Sequence, residues 1–362
     1  MKVICFHPAL APYRLGFFNL MSERIDFKLV LLQANVNVQK FDQGKLLMKL
    51  LPQYEYLDSG FCMFGRNIRF GYLKIIERED PNIVIGYESS YTTLVLMLYR
   101  FIFRRKLKVW TMMDDSYDLI IRRKGFRRII RNLVLKHIDL VIVPSKESIK
   151  AFGKCVPSVP VSRFAVMPIA QDTAFIRKHA SSVYSNAQRW KKANIPSHWK
   201  TVLIFVGRLV PVKNLHWLIS QIRYLNDDTG LVLVGDGEEA ENLHKEVKSL
   251  GISNRVIFAG RLEGDELYAR MAMADGLVLC SNSELYGAVV AEALQWGTPC
   301  VVSSNCGSSS LIENGKNGYV FKYNETESFR FAVQNLPNRS TDSILPVNMV
   351  EAVANLLRIG CY

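Results

Sequence analysis

Short, almost wholly apolar runs separated by helix-length stretches recur along this chain, and that alternation restricts its fold more than any other feature. Residues 3–6, 27–32, 83–86, 109–112, 140–143 and 164–167 read as strands buried on both faces, with helical stretches at 15–22 and 91–103 among them. A second series runs through 202–206, 231–234, 256–258, 277–280 and 299–303. Strands alternating with helices predict parallel sheets covered by helices on both faces. Between the two series, residues 172–200 are polar and basic with no clear period, which puts the boundary near residue 170. The expectation is an α/β chain with one domain over 1–170 and a second over 171–340, both doubly wound and facing a cleft. A terminal helix is expected within 341–362, where apolar residues recur at helical spacing over 347–359.

A chain of 362 residues, 49% of them hydrophobic and 22% charged, is long enough to bury two such cores. It has no uncharged apolar run of 18 residues, and the apolar part of the N-terminal MKVICFHPALAPYR is shorter than a signal peptide needs, so the expected location is the cytoplasm. Its seven cysteines show neither CxxC nor Cys/His metal spacing, and most lie in apolar runs, as buried reduced thiols do.

The net charge of +13 falls entirely within residues 1–170, whereas 171–362 are balanced. Much of it is concentrated in Arg104, Arg105, Lys106 and Lys108, then in Arg122, Arg123, Lys124, Arg127, Arg128 and Arg131. Phe101, Ile102, Phe103, Ile120, Ile121, Phe126, Ile129 and Ile130 interleave them. That mixture suits an anionic membrane surface; a solvated basic face is the plainer alternative.

Residues 281–297, SNSELYGAVVAEALQWG, read as the end of a buried strand, a short loop and a helix stopped by Gly297 and Pro299. A helix start beyond the carboxyl end of a strand is where open α/β sheets take phosphate ligands. Glu284 and Glu292 flank this point, and acids beside an anion site make sense when they accept from the hydroxyls of a ribose or sugar ring. The spacing resembles the Glu-x7-Glu signature of retaining glycosyltransferases of GT-B fold, family 4 in particular. Val206-Gly207-Arg208-Leu209-Val210-Pro211-Val212-Lys213-Asn214 resembles that family's Gly-Arg-Leu turn and Lys-Asn, and residues 307–320 resemble its segment ending in Asn-Gly. The three motifs occur in family order over roughly residues 202–321.

The resemblance implies a set of roles. Arg208 and Lys213 would neutralise the departing diphosphate without a metal or other cofactor, and Glu284 would contact the donor sugar. Backbone N–H groups of Tyr286, Gly287 and Ala288 would lie near the diphosphate, Glu292 would accept from the ribose, and Gly207 would allow close approach of the turn. Backbone at Arg261 and Leu262 would meet the base of a UDP- or GDP-linked donor. Gly235-Asp236-Gly237 resembles the family's Gly-x-Gly turn, with a purely structural turn as the equal alternative. After the first strand the chain has His7-Pro8-Ala9-Leu10-Ala11-Pro12-Tyr13-Arg14, similar to a Pro-Tyr-Arg variant in place of the usual glycines. His7, Tyr13, Arg14, Asp114 and Asp115 are the acceptor-side candidates; a structural histidine and a solvated helix cap at Asp114-Asp115-Ser116 are the alternatives.

The resulting expectation is a hexosyl-transferring enzyme acting on a lipid-linked glycan in surface polysaccharide assembly, held peripherally at the inner face of the cytoplasmic membrane. Two other readings remain, a GT-B-type sugar-nucleotide epimerase and a basic nucleic-acid-binding module, though no nucleic-acid motif is present.

Overall fold

In the computed structural model, which describes residues 1–34, 41–63, 66–104, 106–115, 117–171, 173–284, 286–346 and 348–361, the two series of apolar runs become two separate sheets. The chain divides into two units, Met1–Asp172 with Val347–Tyr362, and Thr173–Pro346. The sequence put its divisions at 170 and 340. The short stretch 341–346 instead goes with the second unit, because Ser340 and Ile344 donate backbone hydrogen bonds to Gly297 and Leu294.

The first unit holds β1 (Lys2–His7), β2 (Asp26–Leu31) and β3 (Gln53–Tyr56), then a separate antiparallel pair, β4 (Gly60–Met63) and β5 (Arg66–Arg69). β6 (Ile83–Tyr87), β7 (Lys108–Met112), β8 (Leu140–Val143) and β9 (Phe164–Val166) complete a parallel sheet of order β3-β2-β1-β6-β7-β8-β9. Its helices are α1 (Pro12–Ser22), α2 (Gln43–Leu47), α3 (Tyr72–Glu79), α4 (Tyr91–Ile102), α5 (Tyr117–Arg122), α6 (Gly125–His137) and α7 (Lys146–Cys155). Central strands are buried along their length, as strands covered on both faces must be, while β3 at the edge mixes exposed and half-buried residues and so gave no apolar run to read. α1 starts three residues earlier than its apolar period suggests, since Pro12 in the first turn has its φ preset for a helix and no N–H to lose. Ser90 and Ser145 accept from Thr93 N and Ser148 N at the starts of α4 and α7.

The second unit holds α8 (Thr173–Asn194), β10 (Thr201–Val206), α9 (Leu215–Ile222), β11 (Thr229–Val234), α10 (Ala240–Ser249), β12 (Val256–Gly260), α11 (Gly264–Met273), β13 (Gly276–Leu279), α12 (Ala288–Gln295), β14 (Cys300–Ser303), β15 (Gly318–Phe321) and α13 (Thr326–Gln334). Its sheet is parallel, of order β12-β11-β10-β13-β14-β15. α8 corrects the reading of 172–200 as a stretch without period. This 22-residue helix packs along α11, with only Val183 and Ala187 buried among its described apolar residues and with ring contacts of Phe175 to Tyr268 and Trp190 to Arg270 beside polar ones. His179 Nδ1 meets Asp265 at 2.8 Å and Tyr184 donates to Thr341 O at 2.7 Å. Polar anchoring of this kind leaves almost no hydrophobic periodicity in the sequence.

α14 (Met349–Cys361) returns to the first unit and packs on α1 and β9. Gly360 faces buried Trp110 so closely that a Cβ there would stand 2.1 Å from the indole, and Lys108 Nζ donates to Gly360 O at 3.1 Å. Among the cysteines with described side chains none is paired, and burial pushes the thiols of Cys5 and Cys306 up to about 12, which keeps them protonated and inert. Gly360→Leu should displace α14 and lower stability by about 2–4 kcal/mol through overpacking and lost burial, read as a lower denaturation midpoint with faster proteolysis after residue 346. Unchanged midpoint and cleavage would show that the helix end is not seated on Trp110.

Candidate functional site

In the second sheet β11 and β12 lie on one side of β10, and β13 and its followers on the other. The connections leaving β10 and β13 therefore diverge, which opens a gap at their carboxyl ends where doubly wound sheets take ligands. Lys213 arrives there from the turn after β10, and Glu284 from the loop after β13; their side chains form an ion pair, both largely buried. Ser281 Oγ also donates to Glu284 Oε2, at 3.5 Å, and Asn282 N donates to Val212 O at 2.9 Å, binding the two connections together. Asn214, with φ 58, ends the 3-10 turn Pro211–Lys213 and donates from Nδ2 to Cys280 O at 3.4 Å and to Asn324 at 2.8 Å. Asn tolerates the left-handed conformation needed here, a physical reason for the Lys-Asn pairing in the motif.

α12 starts beside the ion pair. Its N-cap is Gly287, φ 82; no side chain caps its first turn, and Val290 N donates to Gly287 O at 3.0 Å. A Cβ at 287 would stand 2.7 Å from both Leu279 Cδ2 and Ser308 Oγ. Ser308 is a residue the sequence reading missed. It is fully buried, and its hydroxyl has no hydrogen-bond partner among the described residues, but in the run Gly307-Ser308-Ser309-Ser310 nothing distinguishes it. Tyr286 is buried; Glu292, one turn into α12, and Ala288 are half-buried. Arg208 is exposed, and among the described residues no acid or carbonyl takes its guanidinium. Leu285 lies outside the described residues.

The Gly-Asp-Gly turn after β11 has a structural cause. A Cβ at Gly235 would fall 1.8 Å from Gly207 O, and one at Gly237 would fall 2.3 Å from Leu209 O. Leu209 N donates to Asp236 O at 2.7 Å and Gly235 N to Gly260 O at 2.8 Å, so three strand ends are laced together. Arg261 is exposed and taken by Glu263 at 2.7 Å, while Leu262 is half-buried beside it.

In the first unit the corresponding divergence lies between β1 and β6. Here Arg14 is fully buried and ion-paired to Asp114, whose other oxygen accepts from Tyr87 Oη at 3.3 Å. Burial works against the Arg14 charge, but Asp114 outweighs it and holds the guanidinium above its ordinary value. Arg14 is thus tied to Asp114, while its Nε has no partner among the described residues. Asp115 corrects the solvated-cap alternative: it is buried, paired to Arg123 at 3.0 Å, and burial raises its carboxyl despite that arginine. His7 is buried and donates from Nδ1 to Ala9 O at 2.8 Å; its Nε2 has no partner among the described residues. Burial, then Arg14, lower it to about 4, so it is neutral at pH 7. Tyr13 is half-buried, and burial raises its hydroxyl.

Glu88, which the sequence reading passed over, sits in this cluster. It has φ 50, with its N–H on Met112 O at 2.6 Å and its carbonyl accepting from Thr111 Oγ1 at 2.8 Å. Burial, then Asp115 and Asp114, raise its carboxyl to about 7. An acid two residues past the glycine of a buried run was the available signal.

The basic stretch divides. Arg100, Arg104 and Arg123 are taken by Asp139, Asp80 and Asp115, and Lys108 by Gly360 O. Arg131 corrects the picture of a uniformly basic surface: it is fully buried, donating from Nη1 to Ile120 O at 2.8 Å with its guanidinium over Phe152. Arg105 lies outside the described residues.

Two doubly wound parallel sheets, with the second one's gap held by a cation and an acid beside an uncapped helix start, define the GT-B class of fold. Residues 186–353 match the family described as glycosyl transferases group 1. Over 135 residues the chain is 36% identical to the lipopolysaccharide core biosynthesis glycosyltransferase LpsE of Rhizobium meliloti, a match covering 37% of this chain and 39% of that protein. It is 31% identical over 132 residues to the N-acetyl-alpha-D-glucosaminyl L-malate synthase of Bacillus anthracis, covering 36% and 34%. The matched stretches thus span little more than a third of these relatives. The whole chain superposes on Anabaena HepE in complex with UDP, with TM-score 0.73, 18% identity and 99% and 100% of the two chains covered. It also superposes on the lipopolysaccharide outer core galactosyltransferase WaaB, with TM-score 0.70, 17% identity and 99% of each chain covered.

Glu88 and His7 act in opposite pH windows. Glu88, raised above its unfolded value of 4.5, contributes stability that is full below pH 4.5 and lost as pH rises through about 7. His7, lowered from 6.5, contributes stability that is present above pH 6.5 and lost as pH falls through about 4. Relative to the parent, Glu88→Gln should gain about 1–3 kcal/mol on going from pH 4 to pH 8. Denaturant midpoints of both proteins at the two pH values measure it, and a constant difference would show that the carboxyl is not perturbed.

Proposed function

We propose that the protein is a retaining glycosyltransferase that moves a hexosyl group from a UDP- or GDP-linked donor to a lipid-linked glycan acceptor, without a metal, in surface polysaccharide assembly. The observation that carries the reading is the Lys213–Glu284 pair at the gap between β10 and β13, beside the start of α12. As the bond from the sugar C1 to the β-phosphate oxygen breaks, negative charge builds on the nucleoside diphosphate; in this reading Arg208, Lys213 and the first amides of α12 receive it. Glu284, released from Lys213, accepts from donor sugar hydroxyls, and Glu292 accepts from the ribose. The acceptor oxygen bonds to C1 on the face the phosphate leaves, and its proton passes to the departing phosphate oxygen. Retention rests on the motif resemblance. The lipopolysaccharide wording of the LpsE and WaaB names supports the acceptor class, and the UDP in HepE supports a nucleotide donor.

In this reading the second unit takes the donor and the first the acceptor, with the protein in the cytoplasm, peripheral to the inner face of the membrane. No helix among the described residues is long and apolar enough to cross a membrane.

A panel of nucleotide sugars tests the donor, since a ligand at a hundred times its dissociation constant stabilises by about 2.7 kcal/mol. Arg208→Ala should lose about 10²- to 10³-fold in rate with the fold intact, and chelator should leave the parent active. Full activity of that variant, or loss of activity with chelator, overturns the role given to the cations. Turnover of the donor with no acceptor would point to an epimerase instead.

The ion pair sharpens the expectation for the acids. Glu292→Ala should weaken both donor and free nucleoside diphosphate. Glu284→Ala should weaken the donor's sugar contacts yet tighten free nucleoside diphosphate, because Lys213 no longer has a competing partner. Titration calorimetry reads both, and parallel losses in the two variants would contradict the division of roles.

A further inference from the structure

We infer that the outer face of α4 and α6 is an insertion surface for an anionic bilayer, with apolar side chains entering the headgroup boundary and free cations held against the lipid charges. This rests on, and makes specific, the peripheral membrane location proposed above. At the end of α4, Leu98, Phe101, Ile102 and Phe103 are exposed, Phe101 by 77%. On α6, Phe126, Ile129 and Leu133 are exposed at spacings of three and four residues, hence along one side of the helix, Phe126 by 73%. The opposite side of α6, with Val134 and Leu135, joins the core, so the exposed residues are not a misplaced core face.

The two helices are neighbours, and Arg100 links them: it ends α4, donates to His137 O at the end of α6 and pairs with Asp139 at 2.6 Å. Several cations of this region are therefore structural ties or buried. Those left exposed with no acidic partner among the described residues are Lys106, Arg122, Lys124, Arg127, Arg128 and Lys136. Neither α4 nor α6 contains an Asp or Glu.

Single-sign charge interleaved with bulky apolar groups selects the occupant. Lys and Arg can lay their stems along apolar surface and keep their charged ends at headgroup level while Phe, Ile and Leu go deeper. A second copy of the same face would set these cations against their own kind, which disfavours a symmetric dimer. The whole chain's net charge of +13 lies in the segment containing this face, which adds attraction at longer range.

The test is co-sedimentation of the full chain with vesicles of phosphatidylcholine alone or with phosphatidylglycerol added, at 0.1 M and 0.5 M salt. The parent should bind the anionic vesicles and keep part of that binding at high salt, where simple charge attraction is screened within a few ångströms. A variant with Arg122, Lys124, Arg127 and Arg128 changed to Gln should lose about a hundredfold or more in affinity. A second variant, Phe101→Ser, Phe103→Ser, Phe126→Ser and Ile129→Ser, should still respond to anionic lipid at 0.1 M salt but lose the salt-resistant part. All the changed residues are exposed, and a parent-like cooperative thermal unfolding transition verifies that each variant is folded. Equal binding by the parent and the apolar variant at high salt overturns insertion, and equal binding to both vesicle types overturns the anionic preference. A dimer in light scattering that the apolar variant abolishes, or binding to single-stranded DNA in place of vesicles, also overturns the proposal. Failure of every nucleotide sugar to bind, with vesicle binding intact, would sink the enzymatic reading and leave this surface standing.

Discussion

Two connections that leave adjacent strands in opposite directions must be held at a fixed separation if the gap between them is to accept a ligand, and in the second unit the Lys213–Glu284 pair does this. Both side chains are largely buried, so each alone would be an uncompensated charge in a poorly solvated place. Together they neutralise one another. The Asn214 bonds to Cys280 O and Asn324 and the contact of Asn282 with Val212 O fix the backbone on either side. The two connections are therefore held in a preset frame around the gap.

The first unit uses the same device with less freedom. Arg14 and Asp114, a hundred positions apart, pair beneath Tyr87, and Arg123 takes Asp115. With both aspartates satisfied, the Nε2 of His7 and the Nε of Arg14 are buried polar atoms in the cluster with no partner among the described residues. Glu88 keeps a left-handed φ that a non-glycine residue adopts only when the surroundings impose it, here through backbone bonds to both Met112 and Thr111.

Legibility in the sequence tracked how local each cause is. The strand runs, the Gly-Arg-Leu turn and the Glu-x7-Glu spacing are short-range patterns, and the glycines among them are enforced by neighbouring backbone: Gly235 by Gly207 O, Gly237 by Leu209 O. By contrast, the roles of Arg123 and Arg131 were set by partners elsewhere in the chain, so a count of cations read them as surface charge when one is tied to Asp115 and one is buried with its guanidinium over Phe152. α8 hid because its face is anchored by His179 and Tyr184 more than by hydrophobic burial, and β3 because an edge strand need not be apolar. Ser308 and Glu88 carry no sequence mark stronger than their place beyond an apolar run.

The connectivity of α14 has a consequence for how the chain acquires its structure. Because Met349–Cys361 packs on α1 and β9 while everything from Thr173 to Pro346 forms the other unit, the second unit is an insertion within the first. On the ribosome, the sheet from β1 to β9 emerges early but waits for the whole insert to be made before Met349, Val353 and Leu356 can cover it. Until then α1, β9 and the region around Trp110 are without their final cover. Trimming the chain after residue 346 would therefore damage the unit made first, not the one just completed.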